Sequence, residues 1–262
     1  MIIKKFFKIF LVVSIFLIVL VGSFMLWVSD KYVVPIMMYH NVGYSDKPRL
    51  NSVTPENFAK QMAYLHKHGY QVIPFSELVK SIWEKKPLAR KSVVITFDDG
   101  YEDNYTNAFP ILKQYHFPAI IFLVTDVVSK PGFLTWEQIK EMEKADITFG
   151  SHTRLHTYLP SLDKAEQRNQ IRGSKEILEQ QLGHPIEYFA YPSGGFNDSI
   201  QALLKETGYK AACTTNRGYH RLNDDPYIIK RIRFGNNDNL DIVLWAKVSG
   251  YYQVFRKWKS PE

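Results

Sequence analysis

Ser92-Val93-Val94-Ile95-Thr96-Phe97-Asp98-Asp99-Gly100 is the stretch on which the reading turns. Four consecutive β-branched residues and a phenylalanine, with no polar alternation, predict a strand buried on both faces, as the central strands of parallel sheets are. The run then stops at two carboxylates and a glycine. Asp-Gly is an ordinary turn pair. Two adjacent carboxylates closing a buried strand are less ordinary, because they repel unless a cation or hydrogen bonds offset the charge.

Outward from this strand, apolar runs alternate with helical patterns. Upstream, residues 32–39 form an apolar run that ends at His40-Asn41. Thr54-Pro55 supplies an N-cap and a proline at the first helical position. Phe58, Met62 and Leu65 follow at helical spacing, and Gly69 closes that helix. A short strand at 71–73 and a helix at 75–83 complete this side. Downstream, strands are expected at 119–124, 147–149, 188–191, 211–215 and 228–232. Helices are expected at 105–115, 135–145, 198–207 and 240–247. One more runs from a capping-box pattern at Asp163 and Glu166 through Ile171, Ile177, Leu178 and Leu182 to Gly183. Alternation of this kind predicts an α/β fold with βα units around a mostly parallel sheet, open or barrel-shaped, whose chemistry collects at the C-terminal strand ends. No internal repeat or second globular domain is visible.

The chain has 262 residues and a formal net charge of +7, of which Lys4, Lys5 and Lys8 contribute three, leaving +4 elsewhere. That balance does not indicate a nucleic-acid binder. The basic groups at Lys230, Arg231 and Arg233 and at Arg256, Lys257 and Lys259 read as solvated charge, the second also suiting an anionic surface. The lysines precede an almost wholly apolar run at 9–28, 20 residues long, the length needed to cross a bilayer as a helix. No convincing small-x-small cleavage site follows, and Trp27 suits the interface. Residues 1–30 are therefore expected to be a cytoplasmic basic tip and transmembrane anchor, and 31–262 an extracellular catalytic domain. A cleaved signal with secretion is the alternative. The one cysteine, Cys213, sits in an apolar run and reads as a structural thiol.

Two other strand ends carry polar residues. Ser151-His152-Thr153-Arg154-Leu155-His156 places two histidines four apart, a spacing that puts both imidazoles on one side of a helical turn. Phe189-Ala190-Tyr191-Pro192-Ser193-Gly194-Gly195 ends a strand in a turn whose glycines let backbone approach a ligand. One carboxylate and two histidines make three ligands with positions left open, as catalytic metal sites do. A second carboxylate beside them can act as a general base.

Thr-Phe-Asp-Asp-Gly followed by His-Thr-x-x-His resembles the polysaccharide deacetylase family, also called the NodB-homology or carbohydrate esterase family four. The opening Pro35-Ile36-Met37-Met38-Tyr39-His40 and the run Phe-Ala-Tyr-Pro resemble its poly-N-acetylglucosamine deacetylase branch. The resemblance implies an irregular (β/α)7 barrel and hydrolysis of acetamido groups on an N-acetylated glycan polymer. It implies Asp98 as base and Asp99, His152 and His156 as ligands of a divalent metal, zinc first and cobalt or nickel as alternatives. Tyr191, Pro192 and Ser193 fall where the family binds substrate and the oxyanion, with a backbone N–H near Ser193 as donor.

The chain departs from the pattern in three places, one of them Ser193, which stands where the family usually has the tyrosine whose backbone serves the oxyanion. Ala190 stands where many members carry an arginine that orients the base, and Arg231 or Arg233 is the candidate replacement. The late Leu-x-His motif, whose histidine acts as general acid, has no clear match, and His40 is the candidate substitute. An O-acetyl carbohydrate esterase, a non-catalytic wall-binding relative and a non-haem iron oxygenase use or could retain parts of the same residue set. Acetate release from N-acetyl or O-acetyl substrates separates them.

Overall fold

The computed structural model describes residues 2–29, 31–44, 51–217, 223–256 and 259–261. Eleven short strands run through it: β1 Ile36–Tyr39, β2 Asn41–Val42, β3 Ser52–Val53, β4 Gln71–Val72, β5 Ser92–Asp99, β6 Ala119–Leu123, β7 Ile147–Ser151, β8 Tyr188–Ala190, β9 Ala211–Thr214, β10 Ile229–Lys230 and β11 Ile232–Arg233. The helices are α1 Ile2–Ser29, α2 Pro55–Lys67, α3 Phe75–Glu84, α4 Phe109–Tyr115, α5 Trp136–Glu143, α6 Lys164–Arg168, α7 Ser174–Leu182, α8 Asp198–Glu206 and α9 Asp241–Val248. The main sheet is parallel, in the order β10-β9-β8-β7-β6-β5-β1-β11, with β4 attached to β5.

One segment nearly closes this sheet into a barrel. Ile229 and Lys230 pair with Cys213 and Thr214 of β9, whereas Ile232 and Arg233 pair with Met37 and Met38 of β1. The strand expected at 228–232 is thus divided at Arg231, whose N–H turns to the carbonyl of Thr215. Strand side chains alternate in direction. Ile36, Val94, Ile120, Phe122, Ala190, Cys213 and Ile229 therefore fill the interior, while a larger cluster packs the outer wall against the helices. Phe75 of α3 reaches this interior cluster edge-on to Phe122 and Tyr188, so α3 plugs the end opposite the strand C-termini. Each fully buried side chain of this size contributes roughly 1.5–3 kcal/mol.

Local chemistry sets the remaining boundaries. Thr54 caps α2 through the N–H of Asn57, and Asn197 caps α8 through that of Ile200. The reciprocal capping box lies at Thr135 and Gln138 of α5. At α6 the Asp163 carboxylate accepts from the Glu166 N–H. Two expected helices are interrupted. A π turn over Asn104–Ala108 precedes α4, where Pro110 lacks an N–H, and another over Asn169–Gly173 separates α6 from α7.

At the N-terminus, α1 is one continuous helix of 28 residues. Its described apolar side chains, such as Phe10, Ile18 and Leu26, are exposed. Among the described residues no helix is long and apolar enough to cross a membrane, several side chains of α1 lying outside the description. The structure therefore shows a helix where a transmembrane one was expected, and does not show a span.

Candidate active site

The site lies where β1, β5, β7 and β8 end. Thr96 and Asp98 point into the barrel from alternate positions of β5, and Asp98 is only 2% exposed. Asp99 takes a left-handed backbone, φ 73°, and Gly100 follows at φ 75°. This turn lets two consecutive carboxylates face one site, which an extended strand would forbid. A Cβ on Gly100 would meet Leu123 Cδ2 at 2.6 Å as well as straining the turn.

Asp98 meets Arg231. Its two oxygens accept from Arg231 Nη1 and Nη2 at 2.6 and 2.7 Å, a bidentate pair. Arg231 also donates to the Thr214 carbonyl and Thr96 Oγ1, lies over the Phe122 ring and is 1% exposed. Burial alone would raise the Asp98 carboxyl, but Arg231, with His152 and His40 beside it, holds it well below the usual carboxylate range. Arg233, the other candidate for this charge, is exposed. The division of the last strand at Arg231 is therefore what supplies the charge missing at Ala190.

The histidines follow β7 on a shaped loop instead of the helical turn that their spacing suggested. Thr153 and His156 both have positive φ, 69° and 56°, which is uncommon for any residue other than glycine and costly for a β-branched one. The loop is held from several sides. Gln170 Oε1 accepts from the N–H groups of Arg154 and Leu155 at 3.1 and 3.0 Å. Arg154 forks onto Asp126 at 3.1 and 2.9 Å. Thr153 Oγ1 accepts from the His156 N–H.

His152 is buried, and its Nδ1 meets the Ala190 carbonyl at 2.7 Å. A proton on Nδ1 leaves the Nε2 lone pair free to bind an ion. Burial lowers its pKa against the pull of Asp98 and Asp99, favouring the neutral imidazole that a metal requires. Asp99 Oδ1 lies 3.6 Å from His152 Nε2 and 3.5 Å from His156 Nε2. It is buried and has no hydrogen-bond partner among the described residues. The three ligand atoms lie within 4.8 Å of one another. An orphaned carboxylate oxygen facing two imidazole nitrogens fits a divalent metal with open positions, as the sequence suggested.

His40 stands just beyond β1, with Nε2 3.9 Å from Asp98 Oδ2. Burial pushes its pKa down to about 4, aided by Arg231 and Arg233 and opposed by Asp98. In the third motif the structure narrows the expected set. Tyr191 is fully buried, its N–H engaged by the Cys213 carbonyl and its hydroxyl by that of Tyr227. Pro192 has no N–H, so neither residue offers a donor to substrate. Ser193 is exposed with φ 54°, and its N–H takes part in none of the described hydrogen bonds. Gly194 cannot carry a side chain, because a Cβ would strike the Thr215 hydroxyl and approach its N at 2.8 Å. Cys213 is a free, buried thiol whose pKa burial pushes up to about 12, the structural role expected of it.

The model of the polysaccharide deacetylase family matches residues 85–212. The YxkH protein of Bacillus subtilis, whose name places it among polysaccharide deacetylases, is 33% identical over 76% of this chain and 70% of its own length. This chain belongs to the polysaccharide deacetylase family. It is a hydrolase acting on carbon–nitrogen bonds other than peptide bonds. The poly-β-1,6-N-acetyl-D-glucosamine N-deacetylase of Staphylococcus epidermidis is 31% identical over 71% of this chain and 69% of its own. Among solved structures, the Streptococcus pyogenes deacetylase PplD in complex with acetate aligns with a TM-score of 0.76 at 29% identity, covering 82% of this chain and 97% of that one. The nearly closed parallel barrel is thus a polysaccharide deacetylase barrel, with Asp98, Asp99, His152 and His156 at its mouth.

Proposed function

We propose that this chain is a metal-dependent N-deacetylase that releases acetate from N-acetylglucosamine residues of an envelope or extracellular polysaccharide. The observation that carries the proposal is the buried, unpartnered Asp99 Oδ1 facing both His152 and His156, with Asp98 next to it on the same strand end. The name of the Staphylococcus epidermidis relative supports the substrate class.

Asp99, His152 and His156 would hold the cation, zinc before cobalt or nickel. When bound, such an ion supplies Lewis-acid polarisation of the acetamide carbonyl and a water acidified to near neutral pH. Asp98 takes the proton of the attacking water. Its pairing with Arg231 keeps it ionised and fixes its orientation, which serves proton abstraction at the expense of intrinsic basicity. The Ser193 N–H is the backbone donor for the developing oxyanion. His40, neutral at physiological pH, relays the proton from Asp98 to the departing amine, so that glucosamine leaves neutral or protonated and acetate is formed. The apolar run at 9–28, if uncleaved, would fix the domain to the outer face of a membrane, a reading that rests on the sequence alone.

The roles separate in two variants. Asp98→Asn should retain the metal, measured by mass spectrometry of the purified protein, and lose about 100- to 10,000-fold in turnover. His152→Ala should lose both. Unchanged acetate release by Asp98→Asn would remove the proposed base.

A further inference from the structure

A cavity of about 470 Å³ opens between β11, β3 and the segment after α9, with Tyr44, Thr54, Arg233, Asn236, Lys247 and Arg256 in its wall. The mechanism above uses none of these side chains. Two residues of its wall reach toward the site. Arg256 Nη1 donates to the carbonyl of Arg231, the residue that holds Asp98. Arg233, two positions after Arg231, is close enough to His40 to lower its pKa.

Charge is the distinguishing property of this wall. Three cationic side chains, Arg233, Lys247 and Arg256, line one cavity together with a single carboxylate, Asp238. Lys247 binds Asp238 at 2.6 Å. Among the described residues neither arginine has a carboxylate partner. Burial lowers the pKa of both Lys247 and Arg256, and Arg233 lowers each of them further. Like charges gathered in a partly buried cleft oppose folding unless an anion offsets them. Tyr44, Thr54 and Asn236 add polar groups to the wall: the Tyr44 hydroxyl donates to Glu56, Thr54 Oγ1 accepts from the Asn57 N–H, and Asn236 Oδ1 accepts from the Thr54 N–H and the Asn57 amide.

We propose that this cavity is a subsite for an anionic sugar residue of the glycan, one carrying a phosphate or carboxylate group, adjacent to the N-acetylated residue that is hydrolysed. The inference deepens the deacetylase reading and rests on it. It selects a polymer in which N-acetylglucosamine alternates with, or is substituted by, anionic groups. It also disfavours a uniform amino-sugar polymer, because each turnover on such a chain creates an ammonium that the arginines repel.

The test uses the full chain in detergent with an N-acetylglucosamine tetramer, the same tetramer carrying one phosphomonoester, and one carrying an ether-linked carboxylate. Wild type should show higher kcat/KM on the charged tetramers, chiefly through KM, and the preference should shrink as salt rises. In Arg233→Gln and in Arg256→Gln the charged-to-neutral ratio should fall roughly tenfold, the scale of one charge-assisted hydrogen bond. The carboxylate and phosphate arms rank the two substituents. Inorganic phosphate should inhibit turnover of the phosphorylated tetramer more than that of the neutral one. Equal inhibition of both would place the anion at the histidines and overturn the subsite, as would a ratio near one in wild type or an unchanged ratio in both variants. Absence of acetate from every tetramer would instead contradict the deacetylase reading. Calorimetric binding of the phosphorylated tetramer then decides the subsite: weaker binding by Arg233→Gln supports it, and equal affinity overturns it.

Discussion

Arg231 governs the state of the base. Asp98 is buried on all sides, and burial alone would hold it protonated until well above its usual range. The bidentate guanidinium reverses that. Because the folded pKa of Asp98 is depressed, the stability the pair confers is present above the unfolded value of about 3.9 and is lost only as pH falls below it. Arg231→Gln removes the charge and leaves the carboxylate buried, so the acid limb of the kcat/KM profile should move to higher pH. A Tm drop on the order of 10 °C should accompany it, since breaking one side of a buried pair costs about 3–5 kcal/mol. An unmoved acid limb would separate Arg231 from the base. The pairing of Asp98 with a late arginine was visible in the sequence as two candidates, Arg231 and Arg233. Choosing between them required the interruption of the last strand, which no local pattern announces.

Among the elements, the loop after β7 carries the most chemistry on the least regular backbone. Its two histidines were legible as a pair. Their geometry was not, because the i, i+4 spacing suggested a helical turn, whereas left-handed Thr153 and His156 bring the imidazoles together. That strain is held by Gln170, whose Oε1 satisfies two backbone N–H groups. Gln170→Leu would strand both donors at about 1–3 kcal/mol each. The variant should still fold, with metal affinity weakened roughly 10- to 100-fold, as when a residue supporting the ligands is lost. Competition with a chromogenic chelator reads this directly, and unchanged affinity would show that the loop holds its shape without Gln170. The third motif was legible only in part. Tyr191 looked like a site residue because it precedes the turn, but strand alternation sends its ring into the outer core.

For the whole molecule, the βα alternation was enough to foresee a parallel barrel, since every buried strand had to be covered by an intervening helix. Closure was not foreseeable, because it depends on five residues, Ile229 to Arg233, pairing to two different neighbours. At this scale the anchoring of residues 1–30 is a proposal that rests on the sequence pattern alone, since among the described residues the structure shows no span in α1. The full chain should then sediment with membranes and resist alkaline carbonate, and a protease added outside intact cells should degrade the domain from 31 onward. Release into the medium as a shortened chain would instead identify residues 1–30 as a cleaved signal. The account as a whole stands on the metal-dependent removal of N-linked acetyl groups. The direct measurement is acetate release by the zinc-loaded full chain from N-acetylglucosamine oligomers and from acetylated xylan, with and without chelator. The account predicts chelator-sensitive release from the N-acetyl oligomers, restored by zinc or cobalt; release from xylan alone, or none from a folded and metal-loaded protein, would contradict it.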